Sequence, residues 1–205
     1  MKKIREKTAG ASFVSKIRLL PLGCSFFLLF LLFGCMDCER ASISIDLIHK
    51  VAEVKFFNIV SNSMDEETVK EDFRDLIKRA YFDEASKSDP DRITSRRLYR
   101  NNDKLDGVER FAFKSLPKAL KEFSIEADKD GGYVLDITRE RESYEVGGNG
   151  QYIERGSKKL LKWHENVKKI EFEEKSREFD ETKKTSLLKH WMDWVDKNTK
   201  EERTQ

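Results

Sequence analysis

The cysteines are the first residues of this sequence that could do chemistry. There are three, Cys24, Cys35 and Cys38, and none occurs in residues 39–205. A thiolate nucleophile, a disulfide framework or a cysteine zinc site needs cysteines within the folded body. The sequence therefore excludes all three from residues 39–205 and leaves cysteine chemistry to the N-terminal region.

The histidines do not form a metal-binding pattern. His49, His164 and His190 are far apart in the chain and show neither HExxH nor HxxxH spacing. A zinc site needs several ligands that converge on one point. We therefore expect no metal site and no cofactor.

An acidic turn, EADKDGG, contains the best candidate for calcium. An EF-hand loop starting at Glu126 would use Asp128 and Asp130 as ligands and Gly131 at its sharp turn. Its bidentate acid would then fall at position 137, which is Ile137. Because Asp-Gly pairs are strong hairpin signals, we expect a hairpin turn here.

Four arginines form a candidate anion-binding site. Arg92, Arg96 and Arg100 recur at every fourth position, and Arg97 lies beside them. On a helix they would form a basic stripe able to bind phosphate or sulfate groups. The alternative is a solvated helix face whose charges pair with neighbouring acids.

Catalytic motifs are incomplete. Ser115 with Lys118 and Ser186 with Lys189 both match SxxK, but the partner motifs SDN and KTG are absent. GxSxG does not occur either. We expect no catalytic residue and a protein that is not an enzyme.

Hydrophobic periodicity predicts helices in the first half of the body. Leu47, Val51 and Val54 are spaced as one helical face, which favours a helix over the apolar range 43–60. Its β-branched residues leave open a strand at its start.

Three further helices are predicted before residue 121. Ser63 and Glu66 form a capping box for a helix that ends near Phe82. Shorter helices are predicted over 93–99 and over 108–120, the latter broken or restarted at a proline.

After residue 122 the hydrophobic period changes to two. Strands are predicted at 123–127, 133–137, 152–154, 159–163 and 169–173, followed by a helix over 185–197 that buries Trp191 and Trp194. The predicted class is α+β, with N-terminal helices, an antiparallel β-meander and a C-terminal helix.

The stretch VKFFNIVSNSMDEETVKEDF, read as a helix pair before a curved sheet, is similar in pattern to the NTF2-like superfamily. The resemblance implies a concave pocket for a small ligand or a substrate. Its lining here would be Phe123, Tyr133, Tyr152 and Trp163.

The N-terminal segment, residues 1–34, has a basic part followed by an apolar run. Residues 1–34 contain six basic residues and one acid, and the rest of the chain carries a net charge of −3. This mixed surface gives no reason to expect a nucleic-acid partner. The apolar run 19–33 would span roughly 22 Å as a helix, less than the roughly 30 Å core of a bilayer. Its length is typical of a signal peptide.

The sequence Leu32-Phe33-Gly34-Cys35 resembles the lipobox of bacterial lipoprotein precursors. Phe33 is bulkier than the small residue usual at this position, and a lipobox with this departure resembles the looser lipoboxes of spirochaetes. The resemblance implies that the chain is cut before Cys35 and that this cysteine is acylated. It implies a lipid anchor on a membrane of the bacterial envelope, without deciding between inner and outer membrane.

We therefore divide the chain into a signal peptide (1–34), a lipidated tether (35–42), one α+β domain (43–197) and a polar tail (198–205). The predicted function is that of an envelope lipoprotein with a binding or structural role. Two alternatives stay open: an NTF2-like ligand-binding or enzymatic domain, and a signal-anchored subunit of an inner-membrane complex.

Overall fold

Antiparallel β-sheets dominate this protein. A computed structural model describes residues 36–82, 95–138 and 144–202. The strands are β1 (Met36–Asp46), β2 (Val51–Ser61), β3 (Ser95–Asn101), β4 (Lys104–Ala112), β5 (Ile125–Ala127), β6 (Tyr133–Asp136), β7 (Tyr144–Gly148), β8 (Gln151–Arg155), β9 (Lys158–Trp163), β10 (Lys169–Ser176) and β11 (Thr185–Ser186). The α-helices of these ranges are α1 (Glu66–Ile77), α2 (Leu116–Glu122) and α3 (Leu188–Glu202).

The strands form two sheets. Sheet A has the order β3-β4-β2-β1-β10-β7, with the short β11 also paired to β2. Sheet B has the order β5-β6-β9-β8. The prediction of an α+β fold that begins with helices is therefore wrong, because the first two elements described are long paired strands.

The range 43–60 is the main correction. It contains the greater part of the β1–β2 hairpin, in which Ile43 pairs with Val54. From Ala41 to Asp46, alternate residues of β1 are buried, as a strand with one face on the core requires. The spacing of Leu47, Val51 and Val54 that suggested a helix spans the turn between the two strands. The NTF2-like pattern read a helix pair here, and the structure has a strand followed by α1.

The helix predicted over 93–99 is also wrong, and the helix predicted over 108–120 is wrong before residue 116. Strands β3 and β4 form a hairpin in which Asn101 pairs with Lys104. The two-residue loop has Asn102 at φ 55, a left-handed conformation that favours asparagine in tight hairpin turns. Helix α2 begins only at Leu116, with a proline in its first turn.

Several predicted elements are confirmed. The strands predicted at 152–154, 159–163 and 169–173 are β8, β9 and β10. The helix after residue 63 runs as α1 and a π-helical turn to Phe82, although its N-cap is Asp65, whose carboxylate accepts from Thr68 N at 2.9 Å. The hairpin at Asp130-Gly131-Gly132 joins β5 to β6. Helix α3 closes the described fold.

Asn149 joins the two sheets at the VGGNG stretch, where the chain leaves β7 of sheet A and enters β8 of sheet B. Its Oδ1 accepts from Trp163 Nε1 at 2.7 Å and from Glu171 N at 2.9 Å. Its Nδ2 donates to Lys169 O at 2.9 Å. A Cβ on Gly150 would lie 2.8 Å from the Trp163 ring, so the crossing needs a glycine there.

One hydrophobic cluster spans both sheets. Sheet A contributes Ile43, Ile45 and Ile170, and sheet B contributes Leu161 and Trp163. Trp191 and Trp194 of α3 pack against this cluster, as predicted. The sheets therefore share one core.

Candidate functional site

The junction with the proposed anchor lies at the first described residue. Cys35 itself lies outside the described residues. Met36 begins β1, is only 4% exposed and pairs with Ser61 of β2. Residues 36–42 are therefore strand, and the prediction of a polar tether over these residues is wrong. Cys35 precedes Met36 in the chain, so one peptide unit joins it to a paired strand residue.

Three segments meet beside this junction, and we call them the anchor end: residues 36–37, 61–64 and 179–185. Lys184 Nζ donates to Asp37 Oδ2 at 2.8 Å and also to the Asn62 side chain. Thr185 Oγ1 donates to Ser63 O at 2.7 Å. The ammonium of Lys184 also lies 5.1 Å from the centre of the Phe179 ring. These contacts hold the three segments together.

Cys38 is the one cysteine among the described residues, and it lies on β1 opposite Ile59. Burial raises the pKa of its thiol to about 12, and the negative charge of Asp37 adds to the shift. The reactive form of cysteine is the thiolate, so this thiol is nearly inert at neutral pH. Its chemistry differs from that proposed for Cys35.

The four candidate anion-binding arginines do not form a helical stripe. Arg92 lies outside the described residues, and Arg96, Arg97 and Arg100 lie on strand β3. Alternation along the strand puts Arg97 on the opposite face from the other two.

The contacts of these arginines are separate. Arg96 donates to Glu109 at 3.3 Å and to Arg79 O at 2.8 Å. The Arg97 guanidinium lies 5.4 Å from the centre of the Tyr99 ring. Arg100 Nε donates to Asn102 O. In the described part of the chain, these side chains therefore do not converge on a common anion.

A polar cluster that the sequence analysis missed joins four distant segments, and we call it the Lys104 cluster. Lys104 Nζ donates to Glu39 Oε2 and to Glu181 Oε1, each at 2.9 Å. Asn58 Nδ2 donates to the same two oxygens, at 3.3 and 2.7 Å. The backbone N of Asn58 donates to the buried carboxylate of Asp106 at 2.9 Å. A polar residue inside the apolar run FFNIV was the available signal.

The Lys104 cluster is arranged to hold charge rather than to transfer protons. Hydrogen bonds to Glu181 and Glu39 raise the pKa of Lys104 far above its usual value. The hydrogen bond from Lys104 is also the main cause that lowers the pKa of Glu39. Because a general base or an amine nucleophile must lose its proton, Lys104 is poorly suited to either role.

The acidic turn after β5 binds internal cations. Arg155 donates to both oxygens of Asp128, at 2.9 and 3.2 Å, and Lys162 Nζ lies 2.6 Å from Oδ2. These contacts, with Arg155 first, hold the pKa of Asp128 well below its usual range. The side chain of Asp128 is only 2% exposed. Its oxygens are occupied as acceptors, which supports the prediction of a hairpin rather than a calcium loop.

Of the four aromatic residues expected to line a pocket, Tyr133 and Trp163 are cross-strand partners, and both contact the shared core. Phe123 stacks on Phe111 with ring centres 5.7 Å apart, Trp163 is buried against Phe172, and Tyr152 is exposed. Two depressions of about 260 and 230 Å³ in the described surface are lined by other residues. Neither of these two depressions is lined by the four aromatic residues.

Metal-binding clusters and membrane-spanning helices are absent from the described residues. Within residues 36–82, 95–138 and 144–202, no group of three or more metal-binding side chains converges. No helix of those ranges has the length and apolar character needed to cross a membrane. Comparisons with protein-family models, curated proteins and solved structures found no match.

Proposed function

We propose that this protein is a lipoprotein of the bacterial envelope, acylated on Cys35, with a binding or structural role. The observation that carries the proposal is the sequence Leu32-Phe33-Gly34-Cys35 at the end of a short apolar run that follows a basic segment. Membrane anchoring by acyl chains is stable when more than one chain is attached.

The described body is consistent with a role outside catalysis. Lys104 is held as an ammonium between two carboxylates. Asp128 is bound by Arg155 and Lys162, and the Cys38 thiol is protonated at neutral pH. The charged groups that stand out in the fold thus bind one another, as in a rigid scaffold.

The test is the mass and acyl labelling of the protein expressed from its full precursor in a bacterium. We expect the wild type to lose residues 1–34, to gain the mass of its acyl chains and to incorporate labelled fatty acid. Cys35→Ser should abolish all three changes, and globomycin should block the cleavage.

Cys38→Ala is the matched control, because it removes the neighbouring cysteine and should leave acylation intact. An intact N-terminus without acyl label in the wild type would refute the proposal. If that protein also resisted carbonate extraction from membranes, it would be a signal-anchored protein instead.

A further inference from the structure

We propose that the anchor end is the surface that rests on the lipid headgroups and that sheet A stands away from the membrane. This inference rests on the proposed acylation of Cys35 and adds the orientation of the domain. Its starting observation is that Met36, the residue after Cys35, is already buried and paired in β1. The partner is a phospholipid surface.

The anchor leaves the domain little freedom to move away from the lipid. One peptide unit, about 3.8 Å between Cα atoms, joins Cys35 to the sheet. A flexible linker would let the domain drift by about 5–6 Å times the square root of its length. Because Met36 pairs with Ser61, and Thr185 pairs with Ser61 on its other side, the acyl chains must emerge beside all three.

The anchor end presents an apolar side chain where lipid would be. Met64 lies in the turn between β2 and α1 and is 67% exposed, the highest value among the large hydrophobic side chains of the described residues. Exposed apolar side chains beside an anchor add favourable burial at the acyl–headgroup boundary. The charges of the anchor end are paired, which lowers the cost of removing water from them: Asp37 with Lys184 at 2.8 Å, Asp180 with Lys183 at 3.0 Å and Glu181 with Lys104 at 2.9 Å.

The outer face of sheet A is unsuited to lying flat on lipid. Cross-strand register places its ion pairs on one face: Arg40–Glu173, Lys55–Glu53, Arg110–Glu53 and Lys169–Glu171, all between 2.6 and 3.0 Å. Moving charged groups out of water costs several kcal/mol for each ion. A domain standing on its anchor end keeps these pairs in water.

This orientation sets the height of the hairpin tip. From Met36 to Asp46 the strand has ten residue steps, or about 33 Å at roughly 3.3 Å each. The turn after Asp46 carries Ile48, which is 58% exposed. Ile48 and Met64 are thus two exposed apolar positions at opposite ends of the same hairpin.

The experiment compares fluorophores at three positions on the acylated protein. Met64→Cys, Ile48→Cys and Ser44→Cys are each labelled in a Cys38→Ala background, and acylated Cys35 has no thiol to label. The vesicles contain phosphatidylcholine and phosphatidylglycerol with a nitroxide quencher on the headgroup. We expect loss of fluorescence at position 64 and unchanged fluorescence at positions 48 and 44.

The outcomes separate this inference from the function on which it rests. Equal quenching at all three positions, or quenching at 44 and 48 only, on an acylated protein bound to vesicles would overturn the orientation and leave the lipoprotein proposal standing. Absence of quenching at 64 on the same bound protein would also overturn it. If mass spectrometry finds Cys35 unmodified, both proposals fail together. The control is Cys35→Ser expressed without residues 1–34, so that it lacks both the acyl chains and Cys24, and it should show no quenching at any position.

Discussion

Replacing Asn149 by alanine tests how the two sheets are joined. The substitution removes the acceptor of Trp163 Nε1, and the Trp163 side chain is 2% exposed. Leaving a buried donor without a partner costs about 1–3 kcal/mol. The bonds of Asn149 to Glu171 N and Lys169 O are exposed, so water can replace them at small cost. We expect a loss of about 2–3 kcal/mol in the free energy of unfolding.

The free energy of unfolding is measured by urea titration, followed by far-UV circular dichroism. In thermal melts, at about 2–4 °C per kcal/mol for a domain of this size, the melting temperature should fall by roughly 5–10 °C. Asn166→Ala is the matched control, since it also replaces an exposed asparagine in a loop beside Trp163. Surface substitutions of that kind usually change stability by less than about 0.5 kcal/mol.

A double-mutant cycle with Trp163→Phe isolates the hydrogen bond. The phenylalanine has no ring N–H, so Asn149→Ala should cost less than about 1 kcal/mol in that background. The reasoning is refuted if Asn149→Ala destabilises the protein no more than Asn166→Ala does, or if its cost is unchanged in the Trp163→Phe background.

Three further predictions follow from single contacts. The pKa of Cys38 rises from 9.0 to about 12. At pH 8, iodoacetamide should therefore alkylate the folded protein about 1,000-fold more slowly than the urea-unfolded protein, as followed by mass spectrometry. Equal rates would contradict the burial of this thiol. Asp128→Asn should destabilise the protein at pH 7, because a carboxylate whose pKa is lowered by folding stabilises the fold above its unfolded pKa. As the pH falls below about 4, this contribution is lost, and thermal melts should show a smaller difference in melting temperature between the variant and the wild type. A pH-independent difference would argue against the ion pair with Arg155. Gly150→Ala should lower the unfolding free energy by about 1–3 kcal/mol in urea titrations, since its Cβ would meet the Trp163 ring. An unchanged unfolding free energy would show that the chain at this crossing can relax.

The sequence correctly predicted those elements that a few neighbouring residues are enough to specify. The capping-box pattern of Ser63 and Glu66 predicted a helix to Phe82, and the structure has this helix with Asp65 as its N-cap. Asp130-Gly131-Gly132 predicted the hairpin of β5 and β6. Each depends on hydrogen bonds within about four residues, which is why a short window was sufficient.

The errors arose where a pattern crossed an element boundary. Leu47, Val51 and Val54 have helical spacing, but the first lies in a turn and the other two lie in β2. Arg96 and Arg100 likewise have helical spacing but lie on a strand, where even spacing also places them on one face. Spacing by four is compatible with both periods, and only pairing with a neighbouring strand decides between them.

The sequence by itself determined the basic N-terminal segment, the short apolar run and the lipobox-like residues that end at Cys35. It also determined that residues 39–205 contain no cysteine. The tertiary structure decided that residues 36–46 form a paired strand, and that Glu39, Asn58, Lys104 and Glu181 meet in one cluster. These contacts depend on the register between strands that are distant in the chain. That register is set by the burial of one whole sheet face, so it cannot be derived from any single stretch.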